Sequence, residues 1–345
     1  MEDLRAGIQL AVGGLLVGAI LWDVFATILV PGPATGGVSI ASLVRRIGLP
    51  IGRRLSRRGR VPGRRPGNGF GPLILMLAFL SWMLILILGY GLMLHALRQH
   101  FTPALTGLTQ AFYLAGSSVV TLGVSEIDAH DAARWIILLA GISGFGVITA
   151  VISFVTQLQA ALHQRESGVL TLCGMAGAPP SGIELLRSFA SLDMRKGLSK
   201  LFLEWRDWSA AVMHSHLSYP VLVYFHSVDA ESDWLQILEA MLDAATLVMA
   251  LTDEKASGPA TLMHRSGSRL AAHLCRLFRL DPKDPDPPDR DALDAALGQM
   301  REMGYRVKTL APPTVARFAD LRHDYAGRIQ TLARHLGADE ALRPA

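Results

Sequence analysis

The chain is short of cysteine, of charge and, over one long stretch, of acid. Two cysteines, Cys173 and Cys275, are all it has. That number excludes a disulfide framework or a cysteine zinc set, and the two are expected to be reduced cytosolic thiols. Charged residues make up 18% of the sequence, below the quarter or so usual in soluble domains. No Asp or Glu occurs between Asp23 and Glu126. Also missing are a nucleophile motif and the alternating strand and helix pattern with a glycine fingerprint that marks a nucleotide-binding module. Enzymatic activity is not expected. What remains is apolar: half the residues are hydrophobic and the mean hydropathy is positive. A membrane protein with a soluble portion is expected.

Three long apolar runs, 6–30, 71–97 and 133–162, each suffice to cross a bilayer, which takes about 20 residues. Glu2 and Asp3 precede the first run, and its core is too long for a signal peptide, so it is expected to be retained. Gly14 and Gly18 form a Gly-xxx-Gly pair suited to close helix packing. Asp23 either bonds Thr27 one turn on, near the interface, or latches onto another helix or the basic loop. The third run would be about 45 Å long as a helix. Its Gly141, Gly144 and Gly146 permit packing or bending. Thr149 and Ser153, one turn apart, either wet a cavity wall or bond their own backbone.

Nine arginines lie between Arg45 and Arg65. Loops this basic stay cytoplasmic, which predicts a multi-pass cell-membrane protein with its N-terminus outside and its C-terminus inside. Arg45, Arg46, Arg53, Arg54, Arg57 and Arg58 are candidates for gripping anionic lipid, each adding about 1 kcal/mol near the surface. Nucleic acid is the competing partner for basic runs, and the adjacent spans favour the membrane.

Between the second and third runs lies TPALTGLTQAFYLAGSSVVTLGVSE, residues 102–126. Its apolar part is too short to span, so a re-entrant dip is expected. Thr102 is placed to cap a helix that Pro103 opens and that runs to about Gly116. Thr121, Leu122, Gly123, Val124 and Ser125 then read as extended backbone ending at Glu126. Irregular backbone at membrane depth must be buried or line a watery path. Carbonyls on such a path replace the water of a cation, so these residues form a candidate selectivity filter for a permeant monovalent cation. Glu126, Asp128 and Asp131 cluster at the outer mouth, where repeated carboxylates concentrate cations, although Asp128 and Asp131 also suit a plain polar loop.

This stretch resembles the pore region of the potassium channels, of the bacterial type with two transmembrane helices around one pore loop. The family's filter reads Thr-Val-Gly-Tyr-Gly-Asp; Thr121 and Gly123 match its first and third positions, and Glu126 stands for its aspartate. Val124 and Ser125 depart from its Tyr and Gly. The resemblance covers residues 71 to 162. It implies potassium as the permeant ion, a homotetramer, and a gating hinge at Gly141. An all-α fold follows: three transmembrane helices, a re-entrant pore helix and filter loop, then an α-helical cytoplasmic domain. The expected segments are 1–35 (first helix), 36–70 (basic), 71–164 (pore), 165–182 (linker) and 183–345 (cytoplasmic domain). A non-conducting scaffold that keeps the channel frame and binds a partner through the helical domain is the alternative.

Helical patterns in the last segment cover 182–192, 194–216, 234–251, 260–278, 289–303 and 313–336. Glu204, Asp207, His214, His216 and His226 lie close in sequence but not at metal-ligand spacing on a helix. No metal or cofactor is expected there. Trp205, Trp208, Tyr219 and Tyr224 are expected to form a core or an interface, with the histidines satisfied by ordinary hydrogen bonds. The regulator of this domain is not legible.

Overall fold

The computed structural model describes residues 2–29, 70–123, 127–225, 233–285, 287 and 289–336. The basic segment with Arg45, Arg46, Arg53, Arg54, Arg57 and Arg58 lies outside them, as do Val124, Ser125, Glu126 and His226. The described chain is almost wholly helical and divides into two compact units, one carrying residues up to 159 and the other residues from 160 onward.

The first unit contains α1 (Glu2–Val24), continued by a π-helical turn (Phe25–Leu29), α2 (Phe70–Ala96), a short α3 (Leu108–Val119) and the first part of α4 (Asp131–Ala176). In α1 the buried positions are Gly13, Val17, Ile20, Asp23 and Val24, along one side of the helix, and that side packs along α2. The expected Gly14 and Gly18 pair does not make the contact with α2, since a Cβ added to either would meet nothing within 4 Å. One residue earlier the helix faces its neighbour: a Cβ on Gly13 would meet the Gly89 carbonyl oxygen at 2.5 Å. Asp23 takes its second predicted role. The Trp82 indole N–H of α2 donates to Asp23 Oδ2 at 2.7 Å, in a buried setting where a hydrogen bond to a carboxylate is worth about 1.5–3 kcal/mol.

Helix α4 runs unbroken through 46 residues, so the expected linker at 165–182 is helical as far as Ala176. Only a short turn follows before Ser181 caps the next helix by accepting from the Glu184 N–H.

The second unit packs α5 (Gly182–Ser191), α6 (Leu198–Ser218), α8 (Ser257–Leu277), α9 (Arg290–Glu302), α10 (Pro312–His323) and α11 (Ala326–Leu336) about a central α7 (Trp234–Leu251). Asp233 and Gln236 close a reciprocal capping box at the start of α7. The helix expected over 313–336 is two, because the chain bends at Asp324 and Tyr325 to bury the Tyr325 ring and give its hydroxyl to Asp243 at 2.5 Å.

Four described helices are long and apolar enough to cross a membrane: Asp3–Ile28, Pro72–Ala96, Asp131–Ala176 and Trp234–Leu251. The fourth is 89% buried within its unit, which is how a core helix behaves. The other three leave most of their apolar surface uncovered, consistent with a multi-pass membrane protein.

Candidate functional site

The loop between α2 and α4 is tied at its base. Strands β1 (Phe101–Thr102) and β2 (Asp128–Ala129) pair antiparallel, Thr102 opposite Asp128, and the His130 N–H donates to the His100 carbonyl at 2.9 Å. Thr102 therefore sits in a strand, with its hydroxyl 3.0 Å from His130 Nε2, rather than capping a helix. Helix α3 begins five residues beyond Pro103, after Gly107. Gln110 reaches back to hold the residue before the helix, its Oε1 accepting from the Thr106 N–H at 2.9 Å and from the Thr106 hydroxyl at 3.1 Å.

Both long helices hold α3 by close approach. A Cβ on Gly91 of α2 would fall 2.0 Å from the Phe112 ring, and one on Gly144 of α4 would fall 1.8 Å from the Val119 carbonyl oxygen. Tyr90 braces the same level, donating to the Leu139 carbonyl at 3.2 Å and meeting Ser143 Oγ at 2.6 Å. Gly141 is less confined: its nearest neighbour, Ser118 O, would lie 3.6 Å from an added Cβ, and α4 is continuous through it.

The residues after α3 are not extended. Val120 N–H returns to Gly116 O, Thr121 N–H to Ser118 O at 3.0 Å and Leu122 N–H to Ser117 O at 2.8 Å. The last two bonds make a Schellman closure, whose left-handed position usually holds glycine. Here Thr121 fills it with φ 59°, and Gly123 is left-handed again at φ 65°. A β-branched residue in that region is strained by about 1–2 kcal/mol. Thr121→Gly should therefore raise the stability of the purified protein by about 1 kcal/mol, seen as a higher unfolding midpoint in detergent. Thr121, Leu122 and Gly123 are exposed. Beside them lies an open, mainly apolar hollow of about 440 Å³, bounded by Ser118, Thr121, Gly123, Gly141, Ile142 and Phe145.

Asp128 and Asp131 are exposed at the base of the loop, Asp131 Oδ2 lying 3.6 Å from His100 Nδ1. Thr149 and Ser153 are exposed on α4. Sequence reasoning missed Tyr90 and Trp82, although polar-tipped aromatics inside an apolar run are the signal for such braces.

A second cluster went unforeseen in the C-terminal unit. Arg165 on α4, 1% exposed, gives two hydrogen bonds to Glu166 Oε1, at 3.0 and 2.8 Å, and reaches the Leu222 carbonyl at 3.2 Å and the Phe225 carbonyl at 2.6 Å. Its guanidinium lies 5.2 Å from the Trp234 ring centre. The rings of Trp205 and Trp208 meet at a tilt with centres 4.4 Å apart, and both are buried, as expected. Of the histidines and carboxylates read together in the sequence, Glu204 pairs with Lys200 and Asp207 with Arg206, while His214 is exposed. Among the described residues no group of three His, Cys, Asp or Glu is placed to hold a metal.

His216 departs from expectation. It is fully buried, Nδ1 lies 2.8 Å from the Val212 carbonyl, and Nε2 has no partner among the described residues. Burial first, and then the charge of Arg165, push its pKa down to about 3. The folded state keeps this ring neutral while an unfolded histidine protonates near pH 6.5. Stability is thus lost as pH falls from about 6.5 toward 3, by about 2 kcal/mol at pH 5. Burial, followed by Asp243 one turn on, pushes Glu239 up to about 8. That group favours the fold at low pH, and its contribution is lost as pH rises from about 4.5 to 8. Between about pH 4.5 and 6.5 the two slopes oppose each other, so unfolding midpoints should be level there and fall on either side, whereas in His216→Gln they should rise as pH falls toward 4.5.

Compared with known proteins, the chain matches no family model, no curated protein and no solved structure.

Proposed function

We propose that the protein is a cation channel, a closed ring of four copies in which each contributes one wall of a single pore and potassium is the permeant ion. The observation that carries this is the seating of α3. A helix too short to span is wedged between two apolar helices, by Gly91 against Phe112 and Gly144 against Val119, and delivers a loop with left-handed backbone at Thr121 and Gly123. Such a loop has no use in lipid, which cannot satisfy its backbone, and a clear use on a wet axis, where its carbonyls can replace the water of a cation. One loop per chain encloses nothing, hence the ring. In this reading the N-terminus lies outside and the basic segment meets anionic lipid on the cytoplasmic side. The C-terminal unit takes the input of a regulator. Asp128 and Asp131, repeated around the ring, draw cations to the mouth.

The test is flux through the purified full-length protein in liposomes, first under a potassium gradient and then under a sodium gradient. Gly123→Asp is the control, since it puts a carboxylate on the proposed path. Flux that the control abolishes supports the pore, and the ratio of the two ions reports what Val124 and Ser125 do to selectivity. No flux under either gradient would sink the channel reading in favour of a scaffold, a reading that the loss of the second filter glycine at Ser125 favours.

A further inference from the structure

In the second unit, residues 307–310 run alongside α9. They are held there by a bridge between Val307 and Thr252, by the Lys308 N–H donating to the Leu251 carbonyl at 2.8 Å, and by the Asp253 N–H donating to the Arg306 carbonyl at 3.1 Å. Leu293, Leu297 and Met300 are buried and fix α9 in the core, Leu297 also lining the floor beside the segment. Between helix and segment is a mainly polar hollow of about 360 Å³, within the size range of small-ligand sites.

Its charge is one-sided. Arg290, Arg301 and Lys308 line it against a single carboxylate, Asp294. Lys308 is already shared with Asp253 on the rim at 3.4 Å. Arg290 and Arg301 make no ion pair among the described residues. Fixed walls with excess positive charge are what an anion needs, and planar guanidinium groups suit a phosphate better than a point charge does.

Gly298 adds a second, independent feature. It sits in the lining, inside a 13-residue helix, with nothing within 4 Å of an added Cβ. Glycine weakens a helix interior relative to alanine, and no neighbour in the fold requires it here. Its absence of a side chain keeps the hollow open to the backbone of α9.

We propose that this hollow binds a small phosphate-bearing anion, with Arg290 and Arg301 gripping the phosphate oxygens, Lys308 and the Thr309 hydroxyl closing one side, and Gly298 leaving room for it. The shared chemistry is a phosphate monoester or diphosphate, supplied either free in solution or as a phospholipid headgroup. The proposal does not rest on the channel reading, because binding is read without flux.

The experiment is calorimetric titration of the full-length protein with inorganic pyrophosphate at fixed ionic strength, in nanodiscs of neutral lipid and in nanodiscs containing a phosphoinositide. Saturable binding at one site per chain is expected, weakened at least tenfold in Arg301→Gln and in Gly298→Leu. It should be unchanged in Arg334→Gln, which lies outside the hollow. Equal affinity in the two nanodiscs assigns the site to a soluble phosphate, and tenfold weaker apparent binding beside the phosphoinositide assigns it to the headgroup. Absence of saturable heat in neutral nanodiscs, or undiminished binding in Arg301→Gln, overturns the proposal.

Discussion

Gly144→Ala should destabilise the first unit by about 3 kcal/mol, the upper end of what overpacking does, and should abolish flux. The added methyl would sit 1.8 Å from the Val119 carbonyl oxygen, 2.6 Å from its carbon and 2.9 Å from its Cα. All three are backbone atoms at the end of α3, so no rotamer change relieves the clash. The whole end of α3 must move, and with it the Schellman closure that begins at Ser117 and Ser118. Gly141→Ala is the matched comparison. Its methyl meets only Ser118 O, at 3.6 Å, which is ordinary contact, and a gain of about 0.5–1 kcal/mol is expected because alanine favours a helix interior over glycine. Unfolding midpoints in detergent, measured beside liposome flux, separate the two. Unchanged stability in Gly144→Ala would show that α3 is not seated as described. A loss of flux in Gly141→Ala without loss of stability would mark that glycine as a place where α4 bends.

The second large effect is expected at Arg165. Arg165→Met should cost about 3–5 kcal/mol, because it takes from the buried Glu166 carboxylate the two guanidinium hydrogen bonds that offset its burial. The Leu222 and Phe225 carbonyls lose a donor in the same step. Arg165→Met combined with Glu166→Leu should recover most of the loss, since two apolar groups of similar volume leave no charge behind. Denaturant titration of the C-terminal transition measures both variants. A double variant no better than the single one would place the cost in the two carbonyls rather than in the carboxylate.

Much of the architecture was legible because hydropathy acts locally: three uncovered apolar helices and the amphipathic helices of the second unit stand close to where their patterns put them. The misreadings come from pairings distant in sequence. Thr102 and Pro103 make a good helix start by local rules, but Thr102 pairs with Asp128, twenty-six residues on, and the strand wins. Gly14 and Gly18 satisfy a packing motif, yet only contact with Gly89 selects Gly13. Of the glycines that suggested a linker after Arg165, Gly168 and Gly174 lie inside α4 and Gly177 makes the left-handed turn that ends it; at Gly168 the Trp208 indole occupies the space where a Cβ would stand. In the candidate site, the residue types at 121–123 were readable, whereas the left-handed turn at Thr121 was not, because threonine resists it.

The pairing of β1 with β2 also sets an order of assembly during synthesis. The base of the loop cannot close until Asp128 and Ala129 have been made, and the end of α3 has no support until Gly144 has followed. A nascent chain halted at residue 127 would carry α3 with neither, resting on α2 through Phe112 against Gly91. The end of α3 therefore takes its final support only after the start of α4 has been made, and any factor that acts on the chain during synthesis meets α3 seated on α2 with its last turn still uncovered.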